Sequence, residues 1–178
     1  RSVGACPGSN YQIVASGIVA TTFSDTTVSG GSTYSYLVAG YLGAESCAGP
    51  QSDCASAAAT GLCTMAPTFA GLTSATSSGT ASCGIGLNWS AATQNCGSSV
   101  AYNVYRSTSS TFVPGPANLL ASCLASTSYQ DPGVNYGTAY YYVVHAEDNS
   151  GNGAGVCANG NEDGNLTLAA AAFEQFEA

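Results

Sequence analysis

The sequence predicts an all-β protein built as a sandwich of antiparallel sheets, and three features carry that expectation. Val, Ile, Thr, Tyr and Phe alternate with small polar residues at period two, and Gly and Ser clusters interrupt them at intervals of about ten residues. Signals for amphipathic helices are nearly absent. A chain of 178 residues can bury a core large enough to fold without a cofactor, as one or two small domains.

An internal repeat orders the strands. Residues 14–41, "VASGIVATTFSDTTVSGGSTYSYLVAGY", lie over residues 120–147, "LASCLASTSYQDPGVNYGTAYYYVVHAE". Thr22, Asp25, Tyr34, Tyr36 and Val38 then fall on Ser128, Asp131, Tyr140, Tyr142 and Val144. Each copy reads as a short strand ending in Asp, a Gly-containing turn and a second, alternating strand. Between the copies, residues 66–112 read as three further strands, the middle one carrying the only Trp, Trp89.

Composition narrows the partners. Only 7% of residues are charged, and two arginines stand against ten carboxylates, for a formal net charge of -8. Such a surface repels a phosphate backbone, so nucleic acid and anionic membranes are not expected partners. No apolar run approaches the length that spans a bilayer as a helix. Eight cysteines, no CxxC pair and a single histidine argue for disulfides rather than zinc, and hence for an oxidising, extracellular location. The first residue is Arg1, from which removal of a leader or of a larger N-terminal portion is expected.

The segments "GLNWSAA", "VAYNVYRSTSS", "TSYQD" and "GTAYYYVVHAEDNSGNG" resemble strands B, C, E and F, with the F–G turn, of a fibronectin type III domain. They resemble in particular the cysteine-bearing versions in large secreted bacterial proteins. The resemblance implies an immunoglobulin-like β-sandwich over residues 64–163, with Trp89 on the inner face of strand B opposite Tyr102 or Val104. It also implies that Tyr140 acts as the tyrosine-corner residue. Residues 1–63 hold counterparts of the later strands only, which reads as a partial domain, and residues 164–178 as a tail forming an added strand or short helix. A half-sandwich exposes an apolar face and open strand edges. Upstream strands, strands donated by a neighbouring copy, or the folded-back tail would cover it, and the tail's length suits only one strand.

On that strand assignment Cys83 and Cys96 flank strand B and its following loop, while Cys123 precedes strand E and Cys157 lies near strand G. Both pairs are expected as disulfides. Cys6, Cys47, Cys54 and Cys63 allow three connectivities; Cys47 with Cys54 and Cys6 with Cys63 is one of them.

Catalytic motifs are missing. His145 is the only histidine and has no GxSxG elbow, so it reads as a solvent-facing sheet residue. Glu147 and Asp148 would point to opposite faces of a strand, which weakens a glycosidase reading. No catalytic or cofactor-binding residue is assigned. Calcium is the remaining cofactor candidate, because "EDNSGNG" and "NGNEDGN" bring Asp148, Asn149, Glu162 and Asp163 into acidic, glycine-rich turns. The sequons at Asn88 and Asn165 read as chance occurrences, and Tyr11, Tyr41, Tyr136 and Tyr141 are aromatic surface residues that could stack on glycans. The expected role is non-catalytic: an extracellular structural or adhesive protein, self-assembling as a filament subunit by strand complementation. The alternatives are an accessory region of a larger secreted hydrolase, or a module that binds carbohydrate or surfaces.

Overall fold

Alternation along each apolar segment places every second side chain on one face, and the strands form where those faces can be buried together. The computed structural model describes residues 1–42, 47–78 and 84–173. The chain divides into two compact units, Arg1–Cys63 and Thr64–Ala178.

In the first unit, β1 (Ser2–Val3), β2 (Thr33–Tyr36) and β5 (Ala55–Ala58) form a three-stranded sheet in the order β1-β2-β5. A separate hairpin joins β3 (Ala39–Leu42) to β4 (Cys47–Gln51). Residues 13–23, the counterparts of two strands of the second unit, belong to no strand.

The second unit is a full sandwich. One sheet contains β6 (Leu72–Ser77), β7 (Ile85–Trp89) and β10 (Ser128–Asp131), in the order β10-β7-β6. The other contains β8 (Val100–Ser107), β9 (Leu119–Leu124), β11 (Ala139–Asp148) and β12 (Ala169–Ala172), in the order β12-β11-β8-β9. Both have inward faces of apolar side chains: Leu72, Ile85, Leu87 and Trp89 from the first, and Tyr102, Val104, Tyr140, Tyr142, Val144 and Ala146 from the second. Trp89 meets Tyr102 edge-on at 5.4 Å between ring centroids, a favourable geometry for the ring quadrupoles. The Tyr140 hydroxyl accepts the Asn135 N–H at 3.0 Å, tying the start of β11 to the preceding turn.

The strand position beside β11, expected near Cys157, is filled by part of the 164–178 tail. Ala169–Ala172 pairs antiparallel with β11, Tyr142 opposite Ala169 and Ala139 opposite Ala172. β5 pairs with β2 in the same way in the first unit, Tyr36 opposite Ala55 and Thr33 opposite Ala58. Among the described residues no helix is long and apolar enough to cross a membrane.

Candidate functional site

The molecule's two cations are its two arginines, and each organises one unit. In the second, Arg106 Nη1 donates to both carboxylate oxygens of Asp131, at 3.1 and 2.8 Å, and to the Gly133 carbonyl at 2.8 Å. Its guanidinium lies 5.0 Å from the Tyr140 ring centroid, and the Tyr142 hydroxyl donates to Asp131 Oδ2 at 2.8 Å. In the first, Arg1 Nη1 donates to Asp25 Oδ2 at 2.8 Å and to the Thr27 carbonyl at 3.1 Å. The Arg1 guanidinium lies 5.0 Å from the Tyr34 ring centroid, and the Tyr36 hydroxyl donates to Asp25 Oδ2 at 3.1 Å. The clamp is therefore built twice from residue types in corresponding places. Burial works against the Asp25 carboxylate, but hydrogen bonds from Thr27, Arg1 and Tyr36 outweigh it and hold the carboxyl well below its usual range. At Tyr142 burial acts first and the hydrogen bond to Asp131 adds to it, so the phenol stays protonated.

A second polar cluster lies on the face of the β8–β11 pair opposite the core. Alternation turns Asn103, Tyr105, His145 and Glu147 outward, where the 157–165 segment covers them. The Glu147 carboxylate accepts backbone N–H groups of Cys157, Ala158 and Gly160 at 2.9–3.1 Å, and the Asn103 side-chain amide at 3.0 Å. These donors replace the water that a buried carboxylate loses. Gly155 is required for the same closure, because a Cβ there would sit 2.1 Å from Glu147 Cδ. Glu162 Oε1 accepts from Asn103 and from the Tyr105 hydroxyl, both at 2.8 Å, and stands 3.6 Å from His145 Nδ1. The other imidazole nitrogen, Nε2, lies 2.9 Å from the Asn165 carbonyl, so it is a donor. The Cys123–Cys157 disulfide anchors the covering segment to β9.

Burial pulls the His145 pKa down, but Glu162, Asp163 and the Asn165 carbonyl raise it net above its ordinary value. Glu162 is pushed up by burial and brought net below its ordinary value by hydrogen bonds from His145, Asn103 and Tyr105. Burial, reinforced by Glu162, raises the Tyr105 phenol beyond its ordinary range. Chemically this is a latch: the imidazole is held between the Glu162 carboxylate and the Asn165 carbonyl, and Glu162 in turn by the Asn103 amide and the Tyr105 phenol. His145, expected to face solvent, is only 8% exposed, because the 160–165 segment folds over it.

No family model matches the chain. It is 32% identical over 135 residues to exoglucanase B of Cellulomonas fimi, an alignment covering 74% of this chain and 11% of that protein. A crystal structure of an Fn3-like protein from Clostridium thermocellum shares 35% identity, covers 64% of this chain and is itself covered over 100% of its length, with a TM-score of 0.43. The chain belongs to the fibronectin type III family. It spans about a tenth of the length of the exoglucanase it matches.

Within this fibronectin type III protein the sequence-predicted residues have separate fates. The four calcium candidates do not converge on one centre. Asp148 accepts from Ser150 and Asn161, and Asn149 Oδ1 accepts the N–H groups of Ser98 and Ser99. Glu162 serves Asn103 and Tyr105, and Asp163 accepts from Ala146 and Asn165. Among the described residues no group of three or more His, Cys, Asp or Glu side chains could hold a metal ion. Cys6 is bonded to Cys54, which overturns the pairing of Cys47 with Cys54 and of Cys6 with Cys63. The physical reason is local: the Cys6 loop lies beside the start of β5, and Tyr11 packs its hydroxyl 3.1 Å from Cys54 Sγ. Cys63 and Cys96 are also disulfide-bonded, while Cys83 lies outside the described residues. Tyr41 and Tyr136 are 66% and 68% exposed.

Sequence reasoning missed both clamps. A signal was present, because the repeat retains Asp25 with Asp131, Tyr34 with Tyr140 and Tyr36 with Tyr142, and the chain has only two cations to set against them.

Proposed function

We propose that this chain is a non-catalytic spacer region of a longer extracellular enzyme that degrades glucan. The observation that carries the reading is the 32% identity to an exoglucanase of which the matching stretch is only 11%. Such a proportion suits an accessory stretch beside a separate catalytic domain. Disulfides support an extracellular setting, and the internally satisfied His145 cluster offers no reaction centre. Function does not follow from fold, so the test is direct. The purified chain is expected to release no sugar from soluble or insoluble glucans and to pass unretained over insoluble glucan. Hydrolysis by the chain alone would overturn the reading, and retention lost on Tyr136→Ala would replace it with carbohydrate binding.

Head-to-tail assembly by donated strands is the second reading, favoured by the exposed apolar side chains of residues 13–23, which pair with no strand. Electron microscopy showing ordered fibres of the 178-residue chain would bring it to the front.

A further inference from the structure

We infer that residues 1–63 are the closing half of a second fibronectin type III sandwich, and that polypeptide leading directly into Arg1 supplies the missing strands. Those strands correspond to β6, β7 and the part of β8 that precedes Arg106. The inference rests on the chain being part of a longer protein, but not on that protein being a hydrolase.

The backbone ladder sets both register and direction. Arg1 N donates to the Gln12 carbonyl at 2.7 Å, and Gln12 N donates to the Arg1 carbonyl at 2.8 Å. In the complete sandwich Tyr105 stands opposite Leu119 and Val104 opposite Ala121, so the ladder there runs back along β8 from Arg106. Carried one step back from Arg1, the same ladder places the preceding residue opposite Ile13. The second neighbour agrees: Ser2 pairs with Ser35 as Ser107 pairs with Tyr141, the corresponding position.

Two left-handed backbone positions of residues 13–38 fall where their counterparts have them. Gly17 has φ +69° where Cys123 has +59°, and Gly31 has +77° where Gly137 has +70°. Only the strands that would lie against these residues are missing. Val38 is 71% exposed while its counterpart Val144 is fully buried, and Ile18 and Phe23, whose counterparts Leu124 and Tyr129 pack against the core, are 47% and 52% exposed. Aliphatic and aromatic side chains at strand positions are what an inner sheet face requires.

The other occupants are already engaged. β7 and β8 of a second copy hold Ile85, Leu87 and Val104 at 1% exposure or less, so donating them would dismantle that copy's own core. Ala169–Ala172 of the tail is hydrogen-bonded to β11.

The test places a copy of residues 64–105 ahead of Arg1, so that Tyr105 joins Arg1 as it joins Arg106 in the second unit. Amide hydrogen exchange of residues 13–23 is followed in the 178-residue and the extended chain, with sedimentation at several concentrations. In the 178-residue chain these amides are expected to exchange near the unstructured rate, and in the extended monomer about a hundredfold more slowly. Val38→Asp is expected to leave the 178-residue chain unchanged and to abolish the protection gained by extension. Slow exchange in the monomeric 178-residue chain, protection that rises with protein concentration, or no gain on extension would each overturn the inference. None of these results touches the glucan-release test, so the two readings fail separately.

Discussion

The two units carry the same clamp on different scaffolding. Arg106 and Asp131 sit above a sheet that is packed on its inner face, and Asp131 is 1% exposed. Arg1 holds Asp25 through one carboxylate oxygen in a unit whose Val38 stays 71% exposed, and Asp25 is 8% exposed. The clamp needs the end of one strand, the turn before the next, that strand's first residues and the arginine brought in beside them. Burial of the apolar face needs the rest of the sandwich. Local polar geometry and global packing are thus separable in this fold, and the pair of units separates them within one chain.

The sharpest way to break the comparison is at the staples. Cys6 and Cys54 are separated by 48 positions and Cys123 and Cys157 by 34, and loop entropy assigns each bridge about 4 kcal/mol. Replacing Cys6 and Cys54 together by Ser is expected to unfold residues 1–63, because a half-packed unit has little else to offset that loss. Replacing Cys123 and Cys157 is expected to lower the stability of the second unit by the same amount while leaving it folded. Limited proteolysis at residues 11–28 reads the first effect, and Trp89 fluorescence, which reports on the second unit alone, reads the other.

Asp131→Ala comes next. It leaves Arg106 without its carboxylate and is expected to cost about 3 kcal/mol in denaturant unfolding followed by Trp89. Asp25→Ala, read by limited proteolysis at residues 11–28 across a denaturant series, is expected to cost less than about 2 kcal/mol, because the Arg1 side chain can turn into water on the open side. Equal losses would mean that packing contributes nothing to the clamp.

A smaller effect distinguishes the latch, which the first unit lacks. His145 is raised above its ordinary 6.5 in the folded state, so its contribution is complete below that value and is lost as pH climbs through the folded value. Glu162 is lowered below its ordinary 4.5, so its contribution is present above that value and is lost as pH falls through the folded value. The second unit should therefore be most stable between about pH 4.5 and 6.5. His145→Gln should flatten the alkaline side of the Trp89-monitored profile, and an unchanged profile would remove the latch from the account. The smallest expected effect is that of calcium. Millimolar calcium should not shift the transition of either unit, because the turn carboxylates are already engaged by protein donors.

Strand alternation and the repeat made the sandwich and its inner face legible, since Trp89, Tyr102, Val104 and Tyr140 occupy positions that a period-two pattern selects. Position along the chain did not reveal how residues far apart would close the latch. His145 read as solvent-facing because nothing local predicts that residues 157–165 fold over β11. The strand beside β11 was misplaced for a related reason. An alanine run has weak β-propensity, and Ala169–Ala172 becomes a strand only because β11 offers it a ladder. The Cys6–Cys54 bridge depends on a loop path that spacing alone leaves open.

The two bridges also bear on how the chain would behave under load. If the chain is pulled from its ends, a disulfide passes force straight across the loop it closes. The 34 positions from Cys123 to Cys157 would otherwise lengthen by up to about 115 Å when drawn straight, and the 48 from Cys6 to Cys54 by up to about 160 Å. That slack is locked away while the sulfurs stay joined. Reduction would add that locked length to what the rest of the chain can give, without cutting it.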